Sequence, residues 1–257
     1  MKESSSPILE FDPDRSAILT PDPFRFNGQP PVPASAVLCF FQDVLDSRID
    51  KKELDVQGYL RSEIGKHPVF RYETGGKPLT VFHPGVGAPL AAAFLDELIA
   101  VGVTRYIVCG GCGVLDRKID AGHPIILTSA VRDEGTSYHY LAPSREVKPH
   151  PNAVAALEKV FREAGMGYSL GKTWTTDAIY RETPGKRQLR MAEGCEVVEM
   201  EAAALFAVAK FRQITLGQVV YGGDLVTPEG WDGREWASRT DARQTLFDLS
   251  VQAARLL

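Results

Sequence analysis

No apolar run in this 257-residue chain reaches the roughly 18 residues that a membrane-spanning helix needs. The N-terminal stretch "MKESSSPILEFDPDRS" lacks the apolar segment of a secretory signal, so the expected compartment is the cytoplasm. Cysteine is scarce. The four present, Cys39, Cys109, Cys112 and Cys195, fit reduced thiols and not a disulfide framework. Cys109 and Cys112 make one CxxC, "CGGC", with no second pair to complete a metal site. They read as two small residues in a tight glycine-rich turn, and no metal is expected. Neither sign of charge dominates: 29 basic against 33 acidic residues leave a net charge of −4, with no footprint for nucleic acid or a membrane surface. Repeats and low-complexity linkers are missing too, which excludes solenoids and tethered arrays.

What is present is an ordinary globular composition, 44% apolar and 24% charged. The length suits one domain over residues 1–257. Segments rich in β-branched and aromatic residues, at 16–20, 78–83, 105–110, 123–131, 167–176 and 214–223, read as strands. Residues 88–102, 151–165, 200–211 and 237–257 carry apolar side chains at helical spacing, and the Pro-rich 27–35 reads as a surface connection. Such alternation predicts an α/β fold with a central mixed sheet flanked by helices. Ligands in such folds sit beyond the carboxyl ends of the strands.

Those exits carry the chemistry. "HPGVGAP" (83–89) is a two-glycine turn entering a helix, a place where backbone amides approach a ligand or an anion. "TTDAIYRET" (175–183) gathers Asp, Tyr, Arg and Glu. "EVVEMEAAAL" (196–205) puts Glu199 and Glu201 where a strand becomes a helix, and "YGGDLV" (221–226) ends on Asp224 and two apolar residues. Singly, Glu201 is explained as a first-turn acid favoured by the helix dipole, and Asp224 as a turn cap. Together at one end of a sheet they describe a polar pocket for a hydroxyl-rich ligand. Carboxylates accept from vicinal hydroxyls while Met200 offers an apolar face to a sugar ring.

"VVEMEAAAL" resembles the ribose-binding segment of the nucleoside phosphorylases of the uridine phosphorylase and hexameric purine nucleoside phosphorylase type. Four further stretches, at 17–26, 76–115, 119–140 and a C-terminal one carried by "GGDLV" (222–226) and "DARQTLFDLS" (241–250), are similar in the same order. The resemblance implies that family's fold, with ribose bound by Glu199, Met200 and Glu201 and phosphate gripped by Arg25. It also implies Asp224 as the acid at the leaving base, Arg243 paired with that acid, and a base pocket at Cys112, Gly113 and Ile179. Three positions depart from the pattern. Pro21 stands for the glycine of the phosphate loop, Val108 for a second phosphate arginine and Gly111 for a Ser or Thr. The Gln-x-Arg pair that reads uracil is absent near Thr183–Gly185.

The implied reaction is phosphorolysis of a ribonucleoside, purine favoured, with inorganic phosphate as co-substrate and no other cofactor. A homodimer, or a hexamer built from dimers, is the implied assembly. The second reading is a phosphate-independent nucleosidase, and the third a non-catalytic nucleoside-binding protein.

Overall fold

A computed structural model describes residue 4 and residues 6–257. In chain order the elements are β1 (Ser35–Cys39), α1 (Gln42–Asp50), β2 (Leu54–Ser62), β3 (Gly65–Tyr72), β4 (Leu79–Phe82), α2 (Ala88–Ala100), β5 (Arg105–Val114) and β6 (Pro124–Asp133). They continue with β7 (Glu146–Val147), α3 (Pro151–Glu163), β8 (Ser169–Thr176), α4 (Pro184–Ala192), β9 (Cys195–Glu199), α5 (Ala202–Arg212), β10 (Thr215–Thr227), β11 (Gly230–Asp232) and α6 (Thr240–Leu256). Short 3₁₀ turns at Pro7–Leu9, Thr136–His139, Ile179–Arg181 and Trp236–Ser238 join them.

The mixed sheet has the order β11-β10-β6-β8-β9-β5-β1-β4-β3-β2, and β10 pairs with β5 as well. That extra pairing closes β10, β6, β8, β9 and β5 into a ring. The chain manages it because β10 is long: Thr215–Gly222 run parallel to β5, while Val219–Tyr221 also pair antiparallel with β6. Strand position explains strand sequence. β4 lies between neighbours and is buried throughout, whereas β2 at the edge alternates buried and exposed residues.

Helices cover both faces. On one side α2 and the wholly buried apolar run Ala202–Ala209 of α5 pack over Phe82, Tyr106 and Leu216. Alanines let these two helices approach closely, and a helix apolar all round belongs in a core. On the other side α3 and α6 pack Phe161 and Phe247 against Ile107, Cys109 and Val219.

The α/β class and the mixed central sheet agree with the sequence. Residues 16–20 do not: they form no strand, and Ile18 and Leu19 project into solvent. Their β-like residue types have no neighbouring strand to pair with, so propensity alone does not act. Strands β1, β2 and β3 and helices α1 and α4 were not read from the sequence. The glycine-rich "turn" at 109–115 is also corrected, since β5 runs through to Val114. Cys109 and Cys112, three residues apart on a strand, therefore face opposite layers and cannot chelate together.

Gly217 is where β10 meets α3. A Cβ there would lie 2.7 Å from the Ala153 Cβ and 3.3 Å from its carbonyl carbon. Gly217→Ala is expected to destabilise the fold by about 1–3 kcal/mol through overpacking. Gly185→Ala, with nothing within 4 Å in α4, is expected to be neutral or stabilising. Urea denaturation of both variants checks the contrast.

Candidate active site

The β9–α5 junction organises the site. α5 starts without a cap from its own N-cap side chain, which would leave its first amides unpaired. Glu199 supplies the acceptors from two residues upstream: its Oε2 accepts from the amides of Glu201 at 2.7 Å and Ala202 at 2.6 Å. Its Oε1 accepts from the hydroxyls of Thr175 at 2.6 Å and Thr173 at 3.2 Å on β8. Thr175 also accepts from the Ala203 amide at 3.0 Å. Burial opposes the charge on Glu199 and these four donors favour it. Expected beside Glu201 as a ribose ligand, Glu199 has both oxygens engaged with the protein and acts here as the anchor of α5.

Glu201 is the second acid of the junction. It is buried and its Oε1 accepts from the Gly87 amide at 2.7 Å. That bond ties the β9–α5 junction to the turn between β4 and α2. The turn is glycine-dependent: Gly85 and Gly87 both have φ in the left-handed region, +76° and +93°. Gly85 donates its amide to His83 Nδ1 at 3.1 Å. Burial, and then the charge of Glu199, push the Glu201 carboxyl up to about 8. Met200, half-buried, separates the two acids.

The other end of the cleft is built on β10. The register against β5 shifts between Gly222 and Leu225, and this bulge projects Asp224. A Cβ on Gly113 would lie 3.0 Å from Val198, 3.3 Å from Asp224 Oδ2 and 3.3 Å from Val226. The bare glycine of β5 thus lets the acid and β9 close up. Cys112 is turned inward, its thiol donating to the Tyr221 carbonyl at 3.3 Å, and burial holds its pKa well above the usual thiol range. Ile179, in the 3₁₀ turn after β8, is half exposed at 55%.

One site residue was missed by the sequence reading. Glu182 follows that 3₁₀ turn, and burial, then the charge of Asp224, raise its carboxyl to about 7. Arg187 of α4 fixes the neighbourhood by donating to the carbonyls of Val226, at 2.7 Å, and Leu115. The signal was present in "YRET" beside an exit already marked, but nothing local distinguishes Glu182 from a solvated acid.

Two expected partners are elsewhere. Arg243 does not meet Asp224. Its Nη1 lies 2.9 Å from Asp43 Oδ1, its Nε donates to the Tyr221 hydroxyl at 3.1 Å and its Nη2 to the Trp236 carbonyl at 3.2 Å. It rides on α6, which packs beneath the sheet against α1 and β1. Asp224 accepts instead from Trp231 Nε1 at 2.8 Å. Arg25 forms an ion pair with Glu97 at 3.1 Å. Glu97 lies ten residues past Gly87, about 15 Å along α2 at the helical rise, so Arg25 is not brought to the Glu201 cleft. Val108 is buried in the core, and Gly111 faces the Tyr221 ring. Among the described residues no group of three or more His, Cys, Asp or Glu is arranged to hold a metal. A hollow of about 480 Å³ beside Gly122, Arg239 and Thr240 shares no residue with the carboxylate cleft.

Residues 36–253 match the family model described as the phosphorylase superfamily. The chain belongs to the phosphorylase superfamily. It is 30% identical over 152 residues to the guanosine phosphorylase of Halorubrum lacusprofundi, covering 59% of this chain and 63% of that one. It is 32% identical over 174 residues to the uridine phosphorylase of Thermococcus kodakarensis, covering 61% and 62%. The matches therefore span just under two thirds of these relatives. Among solved structures, the AMP nucleosidase of Bacteroides thetaiotaomicron superposes with a TM-score of 0.70 at 22% identity, covering 88% of each chain. The uridine phosphorylase of Vibrio fischeri gives 0.69 at 20%, covering 87% of this chain and 90% of that one. At these identities the structural likeness is one of fold. Within the superfamily fold, this chain places Glu201 at the β9–α5 junction and Asp224 on the β10 bulge, while Arg25 and Arg243 are bonded to other acids.

The raised Glu201 carboxyl has a consequence for stability. Unfolded, it titrates near 4.5; folded, near 8. Between those values the folded protein holds a proton that the unfolded chain has released. Stability is therefore greatest below the lower value and falls as pH rises through the window, by up to about 1.4 kcal/mol per pH unit. The urea midpoint is expected to fall from pH 5 to pH 8, and to fall less steeply in Glu201→Gln.

Proposed function

We propose that the protein cleaves the N-glycosidic bond of a ribonucleoside, purine favoured, by transfer of the ribosyl group to inorganic phosphate. The observation that carries this reading is the pair of acids at neighbouring strand exits: Glu201 just after β9, and Asp224 on the bulge of β10, with its Oδ2 beside Gly113, the β5 residue that pairs with Val198 of β9. Glu201 is suited to accept from the 2′- and 3′-hydroxyls, with Met200 against the ring. Asp224, with Glu182 beside it, is suited to the base. Bond breaking builds positive charge on the ribose and negative charge on the departing base. An acid at the base meets the second demand, and Glu201 meets the first when it gives up its proton.

The choice of a purine rests on what lines the base end. Asp224 and Glu182 are acceptors when ionised and donors when protonated. Two of the nearby cations are bonded to main-chain carbonyls, Arg187 to Val226 and Leu115 and Arg234 to Gly223 and Ile119, while Arg181, next to Glu182, is exposed. A ring nitrogen that must be protonated and an edge bearing N–H groups suit such a wall. The two carbonyls of uracil do not.

The hydrolase reading has its own support. Arg25 is paired with Glu97, and neither Val108 nor Gly111 offers a donor side chain. What remains for an anion near the sugar is backbone, since α2 begins after Gly87 without a side-chain cap. Phosphate held this way binds weakly, unless a second copy of the chain completes the site in the proposed dimer or hexamer.

The deciding assay measures base release from a panel of ribonucleosides while phosphate is titrated, with the sugar product identified. Ribose 1-phosphate rising with phosphate supports the phosphorylase, and free ribose at a phosphate-independent rate supports the nucleosidase. Binding without release supports the non-catalytic reading. In an active protein Asp224→Asn is expected to lower kcat by about 10²–10⁴-fold. Glu201→Gln is expected to weaken ribonucleoside binding by about 1–3 kcal/mol, with little change for 2′-deoxy analogues, as read by titration calorimetry.

A further inference from the structure

Beyond Asp224, β10 continues to Thr227, turns, and returns as β11. Trp231 lies directly across from Val226. Side chains paired across two strands share a face, and Val226 and Asp224, two apart, share it too. The indole therefore extends along that face and its Nε1 reaches Asp224 Oδ2 at 2.8 Å. A Cβ on Gly233 would come within 2.9 Å of the far edge of the same ring, so the glycine is what lets the indole lie flat there. The bulge beneath is secured separately. Arg234 donates to the carbonyls of Gly223 at 2.9 Å, Ile119 at 2.9 Å and Asp224 at 3.4 Å.

Burial does not explain where Trp231 sits. It is 66% exposed, and most of the apolar area that makes tryptophan valuable in a core remains in water. Its directional contact is the bond to the carboxylate. Among the described residues, Trp231 is the donor recorded on the Asp224 side chain, and Arg243 is engaged with Asp43. An indole N–H only donates. It occupies Oδ2 and fixes the carboxylate plane, leaving Oδ1 for a ligand.

We propose that Trp231 is a positioning residue: by holding Asp224 Oδ2 it sets Oδ1 as the oxygen that meets the leaving base. The proposal rests on the glycosidic-cleavage reading above. It predicts an effect on the chemical step and little effect on substrate binding, because the indole acts through Asp224. It also ranks substitutions by chemistry. Trp231→Phe keeps an aromatic ring and loses the donor. Trp231→Gln loses the ring and keeps an N–H at the end of a flexible stem.

The test is steady-state kinetics of parent, Trp231→Phe, Trp231→Gln and Asp224→Asn, and of Asp224→Asn combined with Trp231→Phe, on the best nucleoside of the panel. The expected result is a drop of about tenfold in kcat for Trp231→Phe with KM within about twofold, and partial recovery in Trp231→Gln. Trp231→Phe should add nothing in the Asp224→Asn background, because coupled residues are not additive. Urea midpoints close to the parent's are expected, the ring being largely exposed. Parental kcat in Trp231→Phe overturns the proposal. So does a ranking with Phe above Gln, or the same tenfold loss with Asp224 already removed. A parent that releases no base overturns the functional reading and this role with it. A parent that turns over beside an unaffected Trp231→Phe overturns the positioning role alone.

Discussion

The four hydrogen bonds donated to the Glu199 carboxylate are the constraint on which the site depends. Thr173 and Thr175 reach it from β8, and the first amides of α5 reach it from the other side. An unpaired carboxylate at this depth would be costly. Fully satisfied, it welds two strands of the closed ring to the start of the most buried helix. Once α5 starts at that point, Glu201 has one place to go, and its bond to the Gly87 amide carries the constraint to β4 and α2. Two carboxylates separated by one methionine thus do different jobs, because one sits under the helix axis and the other at its rim.

The strand exits that result are rich in carboxyl groups: Glu199, Glu201, Glu182 and Asp224. Burial, then the charge of Glu199, raises Glu201 to about 8, and burial, then the charge of Asp224, raises Glu182 to about 7, so each holds a proton into the neutral range. Four arginines bond to backbone carbonyls or to other acids: Arg187 and Arg234 hold the β10 exit, Arg243 joins α6 to α1, and Arg25 is tied to α2. This suits a ligand bearing hydroxyls and N–H groups. It leaves an anionic co-substrate to backbone amides, which is why the choice between phosphate and water is the sharpest question about the protein.

Much of the fold was legible because the strongest signals are local. The apolar period of α3, the alanine-rich α2 and α5, and the β-branched runs of β5, β6, β8 and β10 fall within a residue or a few of where they were read. The misses share a cause. β2 at the sheet edge and its neighbour β3 carry many polar side chains, so no apolar run announces them. Residues 16–20 look like a strand and have no partner, and pairing is a property of two segments. α4 is short and strongly charged, with only Arg190 buried, so its apolar stripe is too thin to read.

The sequence by itself determined that "VEMEAAAL" turns a strand into a helix with acids at the junction, and that an apolar strand leads into "YGGDLV", although β10 runs on past Asp224 to Thr227. Each is fixed by residues within a few positions of one another. Only the tertiary structure decided the partners. Arg243 lies on a helix under the sheet and meets Asp43, 200 residues away. Glu182 acquires its raised carboxyl from burial and then from the charge of Asp224, which another chain segment brings near it. Trp231 replaces the expected arginine because a strand return, invisible in composition, lays its indole along the face of β10. Side-chain pairing between distant segments depends on the packing of every element between them, and that information is spread over the whole chain.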